Sequence, residues 1–302
     1  MSELVNKIMK LKDLSHSSAR TYASVLGTMF RKLDIQAEIS AASIGKNWKS
    51  IFKYAKDKPI KQRKQLLSAI LIFVDKENGK IAEQIRESMS SASKDDKEQE
   101  EKQELTGNQK RAWLDWKDIV SVRDKLANAV ASLWDKERLS NSEFQTLQDY
   151  IIVCLYSYNP PRRAVDYCVM RKGEPRSSKE NGIRRKGGKM VFVFNTYKTA
   201  KEYGSQTVSV DSELRDILSK WIKINPCEWL IVGRGCNPMS SSSLSQRLSS
   251  IFNKPGFGVN MLRHAYVSDV ALKNMPFLDQ LKETAEELGH SAMETILYKK
   301  KK

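Results

Sequence analysis

The chain has 302 residues, 40% of them hydrophobic, and carries 52 Lys and Arg against 36 Asp and Glu, a formal net charge of +16. That length allows one or two domains with a sizeable core. No apolar run is long enough to span a bilayer, and the opening MSELVNKIMKLKDL lacks the continuous apolar stretch and cleavage site of a secretory leader. We therefore expect a protein of the cytoplasm or nucleus, neither membrane-bound nor secreted. The positive surplus favours a polyanionic partner, because each phosphate neutralised releases condensed counterions.

Residues 1–87 read as an all-helical domain. In HSSARTYASVLGTMFRKL, Tyr22, Val25, Leu26, Met29, Phe30 and Leu33 recur at helical spacing, and Ser15 or Ser17 is placed to cap the start. NWKSIFKYA adds Trp48, Ile51 and Phe52. KQRKQLLSAILIFV adds Leu66, Leu67, Ile70, Phe73 and Val74 behind a basic entry. Composition then shifts: ESMSSASKDDKEQEEKQELTGNQK (87–110) has almost no apolar content. Residues 88–107 read as a charged linker or a solvated helix rather than core, and the serines and Gly107 region favour a jointed linker over one continuous rod.

The second domain, 108–302, opens with WLDWKDIVSVRDKLANAVASLW, where Ile119, Val122, Leu126, Val130 and Leu133 share a side. NSEFQTLQDYIIVCLYSY is a second helix, stopped at Asn159-Pro160-Pro161 because prolines cannot continue it. The basic stretch 170–189 reads as a loop able to touch phosphate. KMVFVFN (189–195) and QTVSV (206–210) read as a hairpin around a polar connection. Helices return in SELRDILSKWIK, SSLSQRLSSIF, MLRHAYVSDVALK and PFLDQLKETAEEL. The expected fold is mainly α with a small antiparallel sheet: an α+β second domain behind an all-helical first. Cys154, Cys168, Cys227 and Cys236 form no CxxC pair and have no histidine at zinc-finger spacing. All four are expected as reduced thiols, with no structural metal.

At the far end, Pro276 suits a helix start, and Leu278, Leu281, Ala285 and Leu288 form its apolar stripe. Gly289 suits the left-handed position past the helix end, which puts His290 on the corner. Ser291 and Glu294 make a capping box for a short helix with Thr295 and Tyr298 on one face.

Four clusters stand out: Arg162-Arg163 with Asp166, Lys198 in YKT, Asn260-Met-Leu-Arg263-His264, and Gly289-His290 through Tyr298. Each has an ordinary reading: a surface turn, a solvated lysine, an Arg263–Asp269 pair, a histidine favoured at a helix C-terminus. Their order along 108–298 resembles the tyrosine recombinase (phage integrase) family. The helical front domain fits that family's core-binding domain. PPRRAVDY looks most like integrases of large DNA viruses, virophages and related mobile elements.

The resemblance implies a DNA strand-exchange enzyme working on double-stranded DNA as a homo-oligomer, dimer to tetramer, with its two domains clamped on the duplex and with no cofactor or metal. Its first arginine precedes an acidic residue by three positions, which selects Arg163 over Arg162. The hairpin lysine would be Lys198, with Lys201 as rival; the second arginine Arg263; the later histidine His290; the nucleophile Tyr298. Guanidiniums suit the non-bridging phosphate oxygens. A tyrosine oxygen attacks phosphorus to give a 3′-phosphotyrosyl bond, and a lysine protonates the 5′-oxygen that leaves. Three features depart from the family pattern. Asn260 stands where a histidine is usual and cannot serve as a base. The His290–Tyr298 spacing is one position short, and only Lys299–Lys302 follow the tyrosine. A type IB topoisomerase, or a DNA-binding protein of the same fold without catalysis, are the alternatives.

Overall fold

The structure, a computed structural model, describes residues 2–101 and 104–271. The chain divides into two compact units, Met1–Glu104 and Leu105–Lys302.

The first unit is helical: α1 Ser2–Leu11, α2 His16–Lys32, α3 Ala41–Lys46, α4 Trp48–Lys56, α5 Ile60–Val74 and α6 Gly79–Glu101. Ser15 caps α2, its hydroxyl accepting from Ser18 N at 3.2 Å. The apolar stripe read in the sequence is the core: Leu26, Met29, Ile51, Leu67 and Ile70 are fully buried beside Ile8 and Ile44. Burial of each such side chain contributes roughly 1.5–3 kcal/mol.

The reading of 88–107 as a jointed linker needs correction. Helix α6 runs unbroken to Glu101. Its later half is tied to the unit by Ala92, which is buried, and by Asp96, which accepts from Lys64 Nζ on α5 at 3.0 Å.

The second unit comprises α7 Gly107–Ala112, α8 Trp116–Val130, α9 Asn141–Ser157, α10 Ala164–Cys168, β1 Gly182–Lys186, β2 Lys189–Phe194, α11 Ala200–Tyr203, β3 Gln206–Ser209, α12 Ser212–Ile224, α13 Ser241–Ile251 and α14 Val259–Tyr266. A π-helical turn, Val267–Ala271, follows α14. Helix α9 is the axis of this core: Ile151 through Tyr156 are buried without a polar interruption. Its one buried amide, Gln148, is satisfied by Val232, donating to the carbonyl at 3.1 Å and accepting from the N–H at 2.8 Å. Trp221 is fully buried, with its indole N–H on Leu230 O at 2.8 Å.

Among the described residues there is one sheet, antiparallel, in the order β1-β2-β3. Phe192 pairs with Ile183 on one side and Val208 on the other, and Phe194 faces Gln206. Strand β1 is a correction to the basic-loop reading. It joins β2 through Gly187-Gly188, both at positive φ (58° and 74°), the two-residue turn whose twist matches a hairpin. The fold is mainly helical with a small antiparallel sheet, and no described helix is long and apolar enough to cross a membrane.

The cysteines bring a second correction. Cys154 and Cys168 are free and buried, but Cys227 and Cys236 form a disulfide across Cα atoms 5.3 Å apart. Sequence spacing alone does not reveal such pairing.

Helix α9 opens with a capping box. Glu143 accepts from Ser140 N at 2.9 Å and from Lys136 Nζ at 2.5 Å. The Lys136 ammonium first, then the Ser140 backbone and hydroxyl, hold its carboxyl down to about 2. A carboxylate lowered on folding stabilises the fold above its unfolded value of about 4.3 and loses that contribution as pH falls toward 2. We expect Glu143→Gln to be less stable than the wild type at pH 6 in urea titrations. The difference should close as pH falls from about 5 to about 2; a constant difference would contradict this role.

Candidate active site

The Pro160-Pro161 break ends the run of helix after α9 and leaves its carbonyls outside any helical ladder. One of them, Pro161 O, accepts from the Arg263 guanidinium at 3.3 Å. Two segments remote in sequence, the turn before α10 and the middle of α14, thus meet at one cleft of about 340 Å³. Arg162, Arg163 and Arg263 all line it.

The three arginines are not equivalent. Arg162 is fixed on every side. Its Nε donates to Asp166 Oδ2 at 3.0 Å and its Nη1 to Gln206 Oε1 at 3.1 Å, and its guanidinium carbon lies 3.9 Å from the centre of the Phe194 ring. Asp166 is buried, and burial pushes its carboxyl up against the opposing pull of Arg162 and then Arg163. Arg163, at the N-cap of α10, and Arg263 are half-buried and have no carboxylate salt-bridge partner among the described residues. With Arg162 paired to Asp166, the cleft presents two guanidiniums that form no carboxylate salt bridge among the described residues, a setting for an oxyanion with several acceptor oxygens.

Asp269 does not pair with Arg263. It accepts from Trp116 N at 2.7 Å and so satisfies the first turn of α8. His264 is exposed and lies 3.5 Å from the Gln109 amide. Asn260 is exposed on α14, one turn before Arg263, and is not part of the cleft lining.

Lys198 sits in the β2–β3 connection, exposed, between Tyr197 and Thr199, which both line the cleft. Lys201 is likewise exposed, one turn on in α11. The connection is braced by the Tyr197 hydroxyl, which donates to Gly204 O at 2.8 Å, where Gly204 takes φ 65°. Tyr203, also on the cleft, is 67% exposed. His290 and Tyr298 lie outside the described residues.

Sequence reasoning missed Gln206, Tyr203 and the anchoring of Arg162. Gln206 reaches Arg162 because it faces Phe194 across the β2–β3 register, a relation that no local motif carries.

Neither a protein-family model nor a curated protein matches the sequence. Solved structures do. The XerH site-specific recombinase bound to its difH substrate, in a pre-cleavage complex, aligns over 98% of this chain and 81% of its own, with TM-score 0.53 and 13% identity. The same recombinase bound to a palindromic difH substrate after cleavage aligns over 98% and 80%, with TM-score 0.50 and 14% identity. The chain has the tyrosine recombinase fold. On this recombinase fold, the arginine cleft is formed by the turn before α10, the β2–β3 connection and α14.

Proposed function

We propose that the chain is a site-specific DNA recombinase or integrase that breaks and rejoins duplex DNA through a 3′-phosphotyrosyl intermediate. The observation that carries this reading is the convergence of Arg163 and Arg263 on one cleft without carboxylate salt bridges among the described residues, in a chain of the recombinase fold and of net charge +16. The two guanidiniums hold the scissile phosphate and take up the charge that builds on its oxygens during attack. Tyr298 supplies the nucleophilic oxygen, His290 donates a hydrogen bond to the phosphate, and Lys198 protonates the 5′-oxygen as it leaves. The protein–DNA bond conserves the phosphodiester energy, so a second 5′-hydroxyl reseals it and Tyr298 is released. The enzyme acts as an oligomer on its two sites.

Asn260 favours a second reading, binding without cleavage, because an amide at that position cannot accept the tyrosine proton at neutral pH.

One assay separates the two. Supercoiled plasmid carrying the DNA that flanks the coding sequence is incubated with the protein in EDTA, without nucleotide. Recombined or relaxed plasmid, lost in Tyr298→Phe, supports the enzyme. Salt-sensitive binding with unchanged topology, in both proteins, supports binding alone.

Lys198→Ala is expected to slow cleavage roughly 10²–10⁴-fold, the usual range for loss of a general acid. A 5′-thio substrate, whose leaving group needs no proton, should restore the rate. If that substrate rescues Lys201→Ala instead, the acid is Lys201.

A further inference from the structure

The turn end of the basic hairpin β1–β2 lies away from the arginine cleft and builds a cavity of its own. A notch of about 250 Å³ lies between the hairpin and α12. Arg185 and Lys189 form one wall, Arg215 and Ser219 the other, with Gly188 at the rim and Met190 buried in the floor. The Ser219 hydroxyl is directed to its own helix, donating to Arg215 O at 2.7 Å. Among the described residues, the carboxylate in contact is Asp216, 3.0 Å from Arg215 Nε and well exposed. Three cations thus face a small concavity against one solvated carboxylate, an arrangement that is repulsive unless an anion enters. On the opposite face of β1, Arg184 pairs with Glu174 at 3.1 Å. Gly188 at the rim carries no side chain to hold a bulky anion away.

We propose that this notch is a second phosphate-binding site, for the backbone of the duplex that enters the arginine cleft. The inference rests on duplex DNA being the substrate. Lys189 and Phe194 mark the two ends of β2, and the arginine cleft is built at the Phe194 end. At about 3.4 Å per residue the two sites lie roughly 17 Å apart along the strand. One turn of B-DNA spans about 34–36 Å, so sites that far apart hold phosphates of one duplex within a single helical turn. The work of the notch is to set the angle and register of the duplex, without base readout.

Binding of a 40-base-pair duplex, followed by fluorescence anisotropy at increasing salt, tests this. Each neutralised phosphate contributes about 0.9 to the slope of log affinity against log salt. Arg185→Ala/Lys189→Ala/Arg215→Ala should flatten the slope by about 1–2 and weaken binding roughly tenfold. Arg184→Ala, which removes one cation from the other face of β1, should leave the slope unchanged. On the wild-type protein, duplex should shield Lys189 from acetylation, read by mass spectrometry, where an equal concentration of inorganic phosphate does not. The proposal is overturned by a wild-type slope in the triple variant, by equal flattening in Arg184→Ala, or by unshielded Lys189 at saturating duplex. Equal shielding by free phosphate would make the notch a small-anion site and overturn it too. If duplex binds with a full slope in the triple variant, only the notch is rejected. If the wild type binds no duplex at all, the functional reading fails with it.

Discussion

Arg163→Ala and Arg263→Ala are each expected to lower the single-turnover rate of DNA cleavage by roughly 10²–10³, the range seen when one preorganised donor to a developing oxyanion is removed. Among the described residues both guanidiniums line the cleft without a carboxylate salt bridge, so both are available to the phosphate, and neither supports the fold through a buried ion pair there. Stability in urea should therefore stay within about 1 kcal/mol of the wild type. The double variant should lose little more than either single one, because two donors acting on the same phosphate behave as a unit. Near-normal cleavage in either variant would break the two-arginine account of the cleft.

Arg162→Ala should have the complementary outcome, with a large loss of stability. It removes the Asp166 ion pair, the Gln206 hydrogen bond and the stacking on Phe194 together. Asp166, whose side chain is 3% exposed, is left without its ion pair. Breaking a buried pair from one side costs about 3–5 kcal/mol; the lower end applies here, since Asp166 can take up a proton. Burial already pushes the Asp166 carboxyl up, and without Arg162 it rises further. A raised carboxyl binds more protons in the folded state than in the unfolded one, so stability falls as pH rises from about 4 through the folded value. The Arg162→Ala deficit should therefore be greatest near pH 7 and shrink on acidification. A variant as stable as the wild type at pH 7, but unable to cleave, would exchange the roles given to Arg162 and Arg163.

That exchange shows where sequence reasoning reaches its limit. The acidic residue three positions on selects Arg163, but Asp166 bonds Arg162, four positions back in the extended turn ahead of α10. Much of the fold was legible because its signals are local. The stripe through Leu26, Met29 and Phe30, the Ser15 cap and the β2–β3 hairpin each depend on a few neighbouring residues. Strand β1 was hidden because Arg184, Arg185 and Lys186 carry a loop-like composition, although Gly187-Gly188 was a hairpin signal. The far half of α6 was hidden because it is held by Ala92 and the Lys64–Asp96 pair rather than by an apolar stripe. The Cys227–Cys236 bond and the Gln206–Arg162 contact depend on partners that only the folded chain brings together.

The central claim is that Tyr298 becomes covalently joined to DNA. The most direct measurement traps the protein on supercoiled plasmid in EDTA with detergent, digests both polymers, and sequences the modified peptide by mass spectrometry. The account predicts a nucleotide remnant on Tyr298 and no adduct from Tyr298→Phe. A remnant on another residue, or an adduct that survives Tyr298→Phe, would contradict it.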